Sequence, residues 1–127
     1  MKFLLDTHIY LWAINEAERL SPMARAAIGD PSNELYLSVA SLWEATIKIG
    51  SGKLRIPGQD IEFLLQRLVS SGVQILPVLP SHLRQLQTLP LIHRDPFDRM
   101  LVAQARVEGL TLVTADAAIR EYAVACL

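Results

Sequence analysis

Four acidic residues stand at positions where an α/β chain gathers its functional groups. Asp6 directly follows the apolar run Phe3–Leu5, and Asp116 comes soon after a second apolar run that ends at Val113. Asp98 falls in the first turn of one predicted helix and Glu44 near the middle of another. Parallel strands end at the sheet edge where the following helices begin, so three of these acids are expected at one edge. Glu44 reaches that edge only if its helix crosses it.

Clustered carboxylates need a reason to be together. Two of them ~5 Å apart repel by ~3 kcal/mol at an effective dielectric near 20, so they share protons or bind a cation. Oxygen ligands favour Mg²⁺ or Mn²⁺, and no Cys/His spacing suggests zinc. Such a site typically serves phosphoryl chemistry. Because the nucleotide-cradling patterns GxxxxGK[ST] and GxGxxG are absent, nucleic acid is favoured over a nucleoside triphosphate as substrate.

Each acid also has an ordinary structural interpretation. Asp6, Asp98 and Asp116 could stabilise the N-termini of helices. Glu44 could pair with Lys48 one turn later, a contact worth only ~0.3–0.5 kcal/mol. An ionised carboxylate that closes a buried strand is nevertheless costly unless something compensates it. The coincidence of all four acids favours a cation site over four separate structural roles.

Basic residues flank the acids in two places. One group follows the Glu44 helix and the other surrounds Asp98: Lys48, Lys53 and Arg55, then His93, Arg94 and Arg99. Solvated surface charge is the alternative for any single one. Together they could hold a nucleic-acid backbone at the mouth of the acidic pocket, with Lys48, Arg94 and Arg99 as the candidate contacts.

Composition predicts one globular domain over residues 1–127. Hydrophobic residues make up 51% of the chain and charged residues 20%. The net charge of −1 gives no broad field that would draw the protein to nucleic acid or membrane. The single cysteine, Cys126, is expected to be reduced. Because the apolar segment 3–14 is short and carries Asp6 and His8, we expect neither a signal peptide nor a membrane span, and a cytoplasmic protein.

Strands and helices are predicted to alternate along the chain. Strands are expected over residues 2–5, 34–37, 73–78 and 110–114, with a candidate edge strand over 123–126. Helices are expected over residues 7–14, 22–29, 39–49, 60–71, 80–87, 96–108 and 116–122. Thr7, Ser21 and Ser38 are predicted caps, and residues 53–58 an exposed connector. The alternation predicts a parallel sheet with helices on both faces. In the helix over 60–71, one apolar stripe faces the core: Ile61, Leu64, Leu65, Leu68 and Val69.

Four segments resemble the motifs of PIN-domain ribonucleases, and most of all those of the toxins of bacterial VapBC-type toxin–antitoxin pairs. The long central motif is specific, whereas the other three would be weak alone. In order, the segments are Leu4–His8, Ser41–Glu44, His93–Ala105 and Leu112–Asp116.

The resemblance implies a three-layer α/β/α sandwich with a mostly parallel sheet of four to five strands. It implies Mg²⁺- or Mn²⁺-dependent endonucleolytic cleavage of RNA, homodimerisation, and inhibition by an antitoxin. The family's acidic positions fall on Asp6, Glu44, Asp98 and Asp116. Its supporting hydroxyls fall on Thr7 and Thr114, and Asp95 is left between a helix cap and an outer ligand.

Two alternatives to a ribonuclease toxin remain open at this stage. One is a structure-specific, flap-type DNA nuclease, although 127 residues leave little room for the helices that clamp a duplex. The other is a non-catalytic module that binds RNA or protein, in which the acids are only caps and surface charges.

Overall fold

The computed structural model describes all 127 residues and contains a four-stranded parallel sheet. The strands lie in the order β3-β2-β1-β4, and all three pairings are parallel. Their bounds are Lys2–Leu5 for β1, Glu34–Ser38 for β2, Gln74–Leu76 for β3 and Thr111–Val113 for β4. The predicted parallel α/β architecture is therefore confirmed.

Seven helices connect and cover the strands. They are α1 (Thr7–Asn15), α2 (Pro22–Gly29), α3 (Val39–Gly50), α4 (Ile61–Ser71), α5 (Pro80–Thr88), α6 (Pro96–Glu108) and α7 (Ala117–Arg120). Two short 3₁₀ turns occupy Ala17–Arg19 and Pro57–Gln59. No helix is both long and apolar enough to cross a bilayer.

The strand order reverses between β1 and β4. The chain first builds outward from β1 through β2 to β3, and it then returns to add β4 on the other side of β1. Such a reversal leaves a crevice beyond the carboxyl ends of the two strands, because the helices that follow them leave toward opposite faces of the sheet. Asp6 follows β1 and Thr114 follows β4 at this switch point.

Hydrophobic cores fill both faces of the sheet, as the three-layer prediction requires. Neighbouring residues of β1 point to opposite faces, so Leu5 joins one core and Leu4 the other. The first core is covered by α1, α2, α3 and α4. The second is covered mainly by α6 and α7, with Leu101 and Ile119 fully buried.

A buried polar network joins α5 to α6. His82 is fully buried, its Nδ1 accepts the backbone N–H of Leu79 at 3.0 Å, and its Nε2 lies 3.0 Å from an oxygen of Glu108. Gln104 donates to the carbonyl oxygen of Pro77 at 3.1 Å. The network pairs polar atoms that would otherwise be costly to bury, although Oε1 of Gln104 has no partner, and it fixes where α5 sits on α6.

Several helix starts follow the predicted capping chemistry, and one does not. Ser21 and Ser38 accept backbone N–H groups at the starts of α2 and α3. The prediction that Thr7 caps the first helix is wrong, because Thr7 is the first residue of α1 and Asp6 holds the cap position. The Asp6 side chain makes no capping hydrogen bond and turns toward Thr114 instead.

Four further predictions need correction, two on the bounds of strands and two on burial. β3 is shorter than predicted, because it ends just before Pro77, which has no N–H to donate to a ladder. The candidate edge strand over 123–126 reduces to one bridge between Leu112 and Cys126. Val69 is 83% exposed, since α4 packs through Leu64 and Leu68. The 53–58 segment is not wholly exposed, because Ile56 is buried in the first core.

Removing the side chain of Leu4 tests the central position of β1. Leu4→Ala deletes a fully buried side chain and should lower the free energy of unfolding by about 2–5 kcal/mol. Val69→Ala, on the exposed face of α4, should change it by less than about 0.5 kcal/mol. Urea unfolding of both variants gives the comparison, and equal losses would contradict the assigned burial.

Candidate active site

Asp6 and Thr114 join the ends of the two strands that flank the switch point. The Thr114 hydroxyl donates a 2.9 Å hydrogen bond to Oδ2 of Asp6, and the Asp6 backbone N–H donates to the carbonyl of Val113 at 3.0 Å. Asp6 is only 3% exposed, and its other oxygen, Oδ1, has no hydrogen-bond partner in the protein. One carboxylate oxygen is thus held by the sheet while the other is left free.

Asp98 is placed by the start of α6. Oδ1 of Asp95 accepts the backbone N–H groups of Phe97 and Asp98 at 2.9 and 3.2 Å, and Pro96 takes the first helical position. Asp95 is therefore the helix cap. The Asp98 carboxylate is not needed for capping, and it is buried at the end of the stripe by which α6 packs on the sheet.

Glu44 lies beside the other acids because α3 passes across the same edge of the sheet. The Thr7 hydroxyl donates a 2.8 Å hydrogen bond to Oγ of Ser41, which ties α1 to α3 one turn before Glu44. Oε2 of Glu44 pairs with Nζ of Lys48 at 3.0 Å, while Oε1 is buried without a partner. The predicted pair with Lys48 is present, but it satisfies only one of the two oxygens.

His93 stands between two of the acids. Its Nε2 lies 3.5 Å from Oδ2 of Asp98 and 3.5 Å from Oδ2 of Asp116, and ligand atoms of the three residues lie within 4.8 Å of one another. Because Nδ1 accepts the backbone N–H of Asp95 at 2.9 Å, neutral His93 carries its proton on Nε2, toward the two carboxylates. Asp116 also caps α7, with Oδ1 accepting the N–H of Ala118 at 2.8 Å.

Burial and mutual repulsion change the proton affinity of the site. Desolvation by burial, followed by the charges of the other acids, raises the pKa of Asp98 to about 8; those acids are Asp6, Asp95, Glu44 and Asp116. Burial also raises the pKa of Asp6, although the Thr114 hydrogen bond opposes the shift. In the protein alone, the site therefore retains a proton that isolated carboxyl groups would have released.

The predicted basic contacts lie on different sides of this cluster. Lys48 is engaged with Glu44. Arg99 is used internally, because its guanidinium donates to the carbonyl of Pro90 at 2.8 Å and to the hydroxyl of Tyr122 at 3.1 Å. Arg94 is exposed and lines a surface hollow with Arg99.

The residues present fit a divalent cation. Two buried carboxylate oxygens, Oδ1 of Asp6 and Oε1 of Glu44, lack partners, and buried polar atoms without partners are rare in proteins. The donors are hard oxygens with one imidazole nearby, a set that suits Mg²⁺ or Mn²⁺ better than a softer metal. A bound cation would also offset the burial and the repulsion that together raise the pKa of Asp98.

The fold and the cluster together define a class: parallel α/β proteins with an acidic centre at the switch point of the sheet. Comparison with known proteins identifies the family within that class. The chain belongs to the PIN-domain family, whose model matches residues 3–125, as the motifs indicated.

Similar proteins include a curated ribonuclease and several solved complexes. The chain is 29% identical over 120 residues to Ribonuclease VapC22 of Mycobacterium tuberculosis (strain ATCC 25618 / H37Rv), covering 94% of this chain and 90% of that protein. It matches VapBC2 from Rickettsia felis, bound to a promoter DNA fragment, with a TM-score of 0.76 at 16% identity over 100% of this chain and 98% of that one. DNA-bound VapBC from Salmonella typhimurium matches with a TM-score of 0.73 at 16% identity, covering 100% and 97%. At these identities the two structural matches establish the shared fold.

Sequence reasoning did not assign His93 its place between Asp98 and Asp116. The available signal was its position directly before the Arg94-Asp95-Pro96 helix start, which turns the chain back toward the acids. Thr7 was expected to be a supporting hydroxyl. The structure instead uses its hydroxyl to bond Ser41, while Thr114 contacts Asp6 directly.

The raised pKa of Asp98 gives a stability prediction for the metal-free protein. Its folded-state pKa of about 8 lies above the ordinary value of 3.8, so its proton stabilises the folded state fully below about pH 4. That contribution is lost as the pH rises to about 8. Asp98→Asn should therefore raise the free energy of unfolding in EDTA at pH 8 by several kcal/mol, because about four pKa units at ~1.4 kcal/mol each set an upper limit of ~6 kcal/mol.

Thermal unfolding in EDTA across pH 5 to about 8 measures this effect. The matched control is Glu62→Gln, which neutralises an exposed acid in the first turn of α4 and should leave the pH slope unchanged. An Asp98→Asn protein with the wild-type slope and no gain at high pH would contradict the raised pKa of Asp98.

Proposed function

We propose that this protein is a Mg²⁺- or Mn²⁺-dependent endoribonuclease that acts in the cytoplasm as the toxin of a VapBC-type toxin–antitoxin pair. The observation that carries the proposal is the cluster of carboxylates at the switch point, with two buried oxygens that have no protein partner. Membership of the PIN-domain family and similarity to Ribonuclease VapC22 support the same activity.

Asp6, Glu44 and Asp98 would hold the cation, with Asp116 completing the set directly or through water. When bound, a divalent cation supplies Lewis-acid polarisation of the phosphodiester and lowers the pKa of water. The chain's own contribution is to keep these acids in place without satisfying all of their oxygens. Thr114 orients Asp6, the Asp95 cap orients the first turn that bears Asp98, and the tie between Thr7 and Ser41 brings α3 over the edge.

Lys48 limits the negative charge of the site, and His93 directs a hydrogen-bond donor at two of its acids. His93 holds a proton on Nε2 between Asp98 and Asp116, and Lys48 neutralises one oxygen of Glu44. A phosphodiester is itself an anion, so the charge of Lys48 reduces the repulsion that it meets on approach. No single side chain is assigned as the sole general base.

RNA is favoured over duplex DNA as the substrate. All seven helices are accounted for in the two layers that cover the sheet or in the short connections between them. None of them extends away as an arm that could clamp a duplex. A single strand reaches an open acidic site without such a clamp.

Neutralising one acid of the site should abolish RNA cleavage while the fold survives. Asp6→Asn and Asp98→Asn should each lower the cleavage rate of single-stranded RNA at least about hundredfold, because each removes a cation ligand. Asp60→Asn is the matched control, since Asp60 caps α4 on an exposed surface and asparagine also caps helices. Circular dichroism checks the fold, and single-stranded DNA run in parallel tests the nuclease alternative.

Chelation provides the second part of that experiment. Excess EDTA should stop cleavage, and added Mn²⁺ or Mg²⁺ should restore it. Cleavage by the wild-type protein that persists in excess EDTA would overturn the metal-dependent mechanism. Calorimetry with Mn²⁺ distinguishes the nuclease from the non-catalytic binding module. The nuclease predicts saturable Mn²⁺ binding that is lost in Asp6→Asn, whereas the module predicts none.

We also propose a cognate antitoxin partner and a homodimer. The matched VapBC structures, each bound to DNA, support the antitoxin. For the dimer, an apolar cleft of about 460 Å³ lies between α3, α5 and α6, and none of its nine lining residues has a charged or amide side chain. Trp43 is 63% exposed beside it and Leu83 is 53% exposed. Exposed apolar surface of this kind is typical of an interface.

The oligomeric state tests the apolar cleft as the dimer surface. Leu83→Lys places a charge in the centre of that surface and should shift the protein from dimer to monomer in sedimentation or light-scattering measurements. Val69→Lys carries the same charge on the exposed face of α4 and should leave the dimer intact. A wild-type protein that stays monomeric at high concentration would overturn the proposal.

A further inference from the structure

A cleft beside the carboxylates concentrates positive charge, and we call it the basic cleft. It lies between α1 and the end of α3 and has a volume of about 400 Å³. Its polar and aromatic lining consists mainly of His8, Trp12, Glu16, Lys48, Lys53 and Arg55. It is separate from the apolar cleft between α3, α5 and α6.

The positive charge of the basic cleft is not cancelled by its surroundings. The one acid in its lining, Glu16, already pairs with Arg19 at 3.0 Å. Lys53 and Arg55 are exposed, and neither is among the residues that form ion pairs. Because the whole chain has a net charge of −1, this local excess of cations is set against a nearly neutral protein. Such a cleft attracts anions.

Lys53 and Arg55 are presented by a fixed segment of the chain. The backbone N–H of Lys53 donates to the carbonyl of Lys48 at 2.9 Å, and Gly52, with φ of 76°, makes the turn that permits this bond. Beyond Arg55, Ile56 is buried and its N–H donates to Oε1 of Gln59 at 2.9 Å. Both side chains therefore project from a segment held at each end.

The basic cleft is continuous with the carboxylate site. Lys48 lines the cleft, and its Nζ lies 3.0 Å from Oε2 of Glu44. His8 also lines the cleft, and it lies two residues after Asp6 in the chain. An anionic chain with one phosphate at the carboxylates would pass Lys48 before it reached Lys53 and Arg55.

We propose that the basic cleft binds the sugar–phosphate backbone of single-stranded RNA on one side of the scissile phosphate, through Lys53 and Arg55. This inference rests on the function proposed above. The RNA would run along the cleft, away from the carboxylates. The opposite side of the site offers fewer free cations. Arg99 is engaged there with Pro90 and Tyr122, so Arg94 is the arginine that remains. Contacts to phosphate do not depend on the base sequence, so the cleft would add affinity and position the RNA without selecting a sequence.

Binding is measured by fluorescence anisotropy with a labelled single-stranded RNA of about 10 nucleotides, in EDTA, with RNA integrity checked on a gel. The test variant is Lys53→Gln with Arg55→Gln. The matched control is Arg84→Gln with Arg106→Gln, which removes the same charge from exposed positions on α5 and α6. The test variant should bind roughly tenfold more weakly, and its salt slope should fall by about 0.7 for each lost phosphate contact. The control should bind like the wild type.

Each other outcome has a defined meaning. Equal loss in both variants, or no loss in the test variant, overturns the basic cleft as an RNA surface. A test variant that binds RNA normally but no longer binds a poly-glutamate peptide also overturns it, in favour of an acidic protein partner.

A cleavage assay with Mg²⁺ or Mn²⁺ separates the two proposals. If the wild-type protein binds RNA through the cleft but never cuts it, the proposed function fails and the cleft stands. If it cuts RNA and the test variant binds as tightly as the wild type, the function stands and the cleft proposal fails.

Discussion

Repulsion between buried carboxylates is the constraint on which the rest of this structure depends. Asp6, Glu44 and Asp98 are each at most 9% exposed, and burial together with the charges of the neighbouring acids raises the pKa of Asp98 to about 8. The surrounding contacts compensate the repulsion only in part. Thr114 and Lys48 each satisfy one oxygen, and one oxygen each on Asp6 and Glu44 stays without a partner. Acids held in this state lower the stability of the fold, which is typical of functional sites.

The topology of the sheet makes this arrangement possible. β4 and β2 lie on opposite sides of β1. The carboxyl ends of β1 and β4 are therefore neighbours at the point where the strand order reverses. The bond between Thr114 and Asp6 joins residues 108 positions apart in the sequence, so the site forms only when the sheet is complete. The apolar strands therefore form the sheet edge at which the acids that follow them converge.

Much of the fold and of the candidate site could be predicted from local signals, because apolar runs, capping residues and glycine stops mark the elements directly. Asp6 and Asp116 were placed by the strands that precede them. The position of Glu44 could not be derived in this way, since it depends on how α3 packs against α1, where Thr7 bonds Ser41. The orientation of the His93 ring likewise depends on the Asp95 backbone N–H, a contact that spacing does not reveal. The exposure of Val69 shows the same limit, because periodicity does not tell how wide a face the neighbouring layer covers.

The buried network around His82 has a consequence for the outer surface of the molecule. Sliding α5 along α6 by one turn would separate His82 from Glu108 and leave buried polar groups without partners. Each such group would cost about 1–3 kcal/mol of folding free energy. α5 thus has a single register on its neighbour. Leu83, the next residue along, is consequently fixed in place on the free protein. Binding of a partner at that face would therefore cost little conformational entropy in α5.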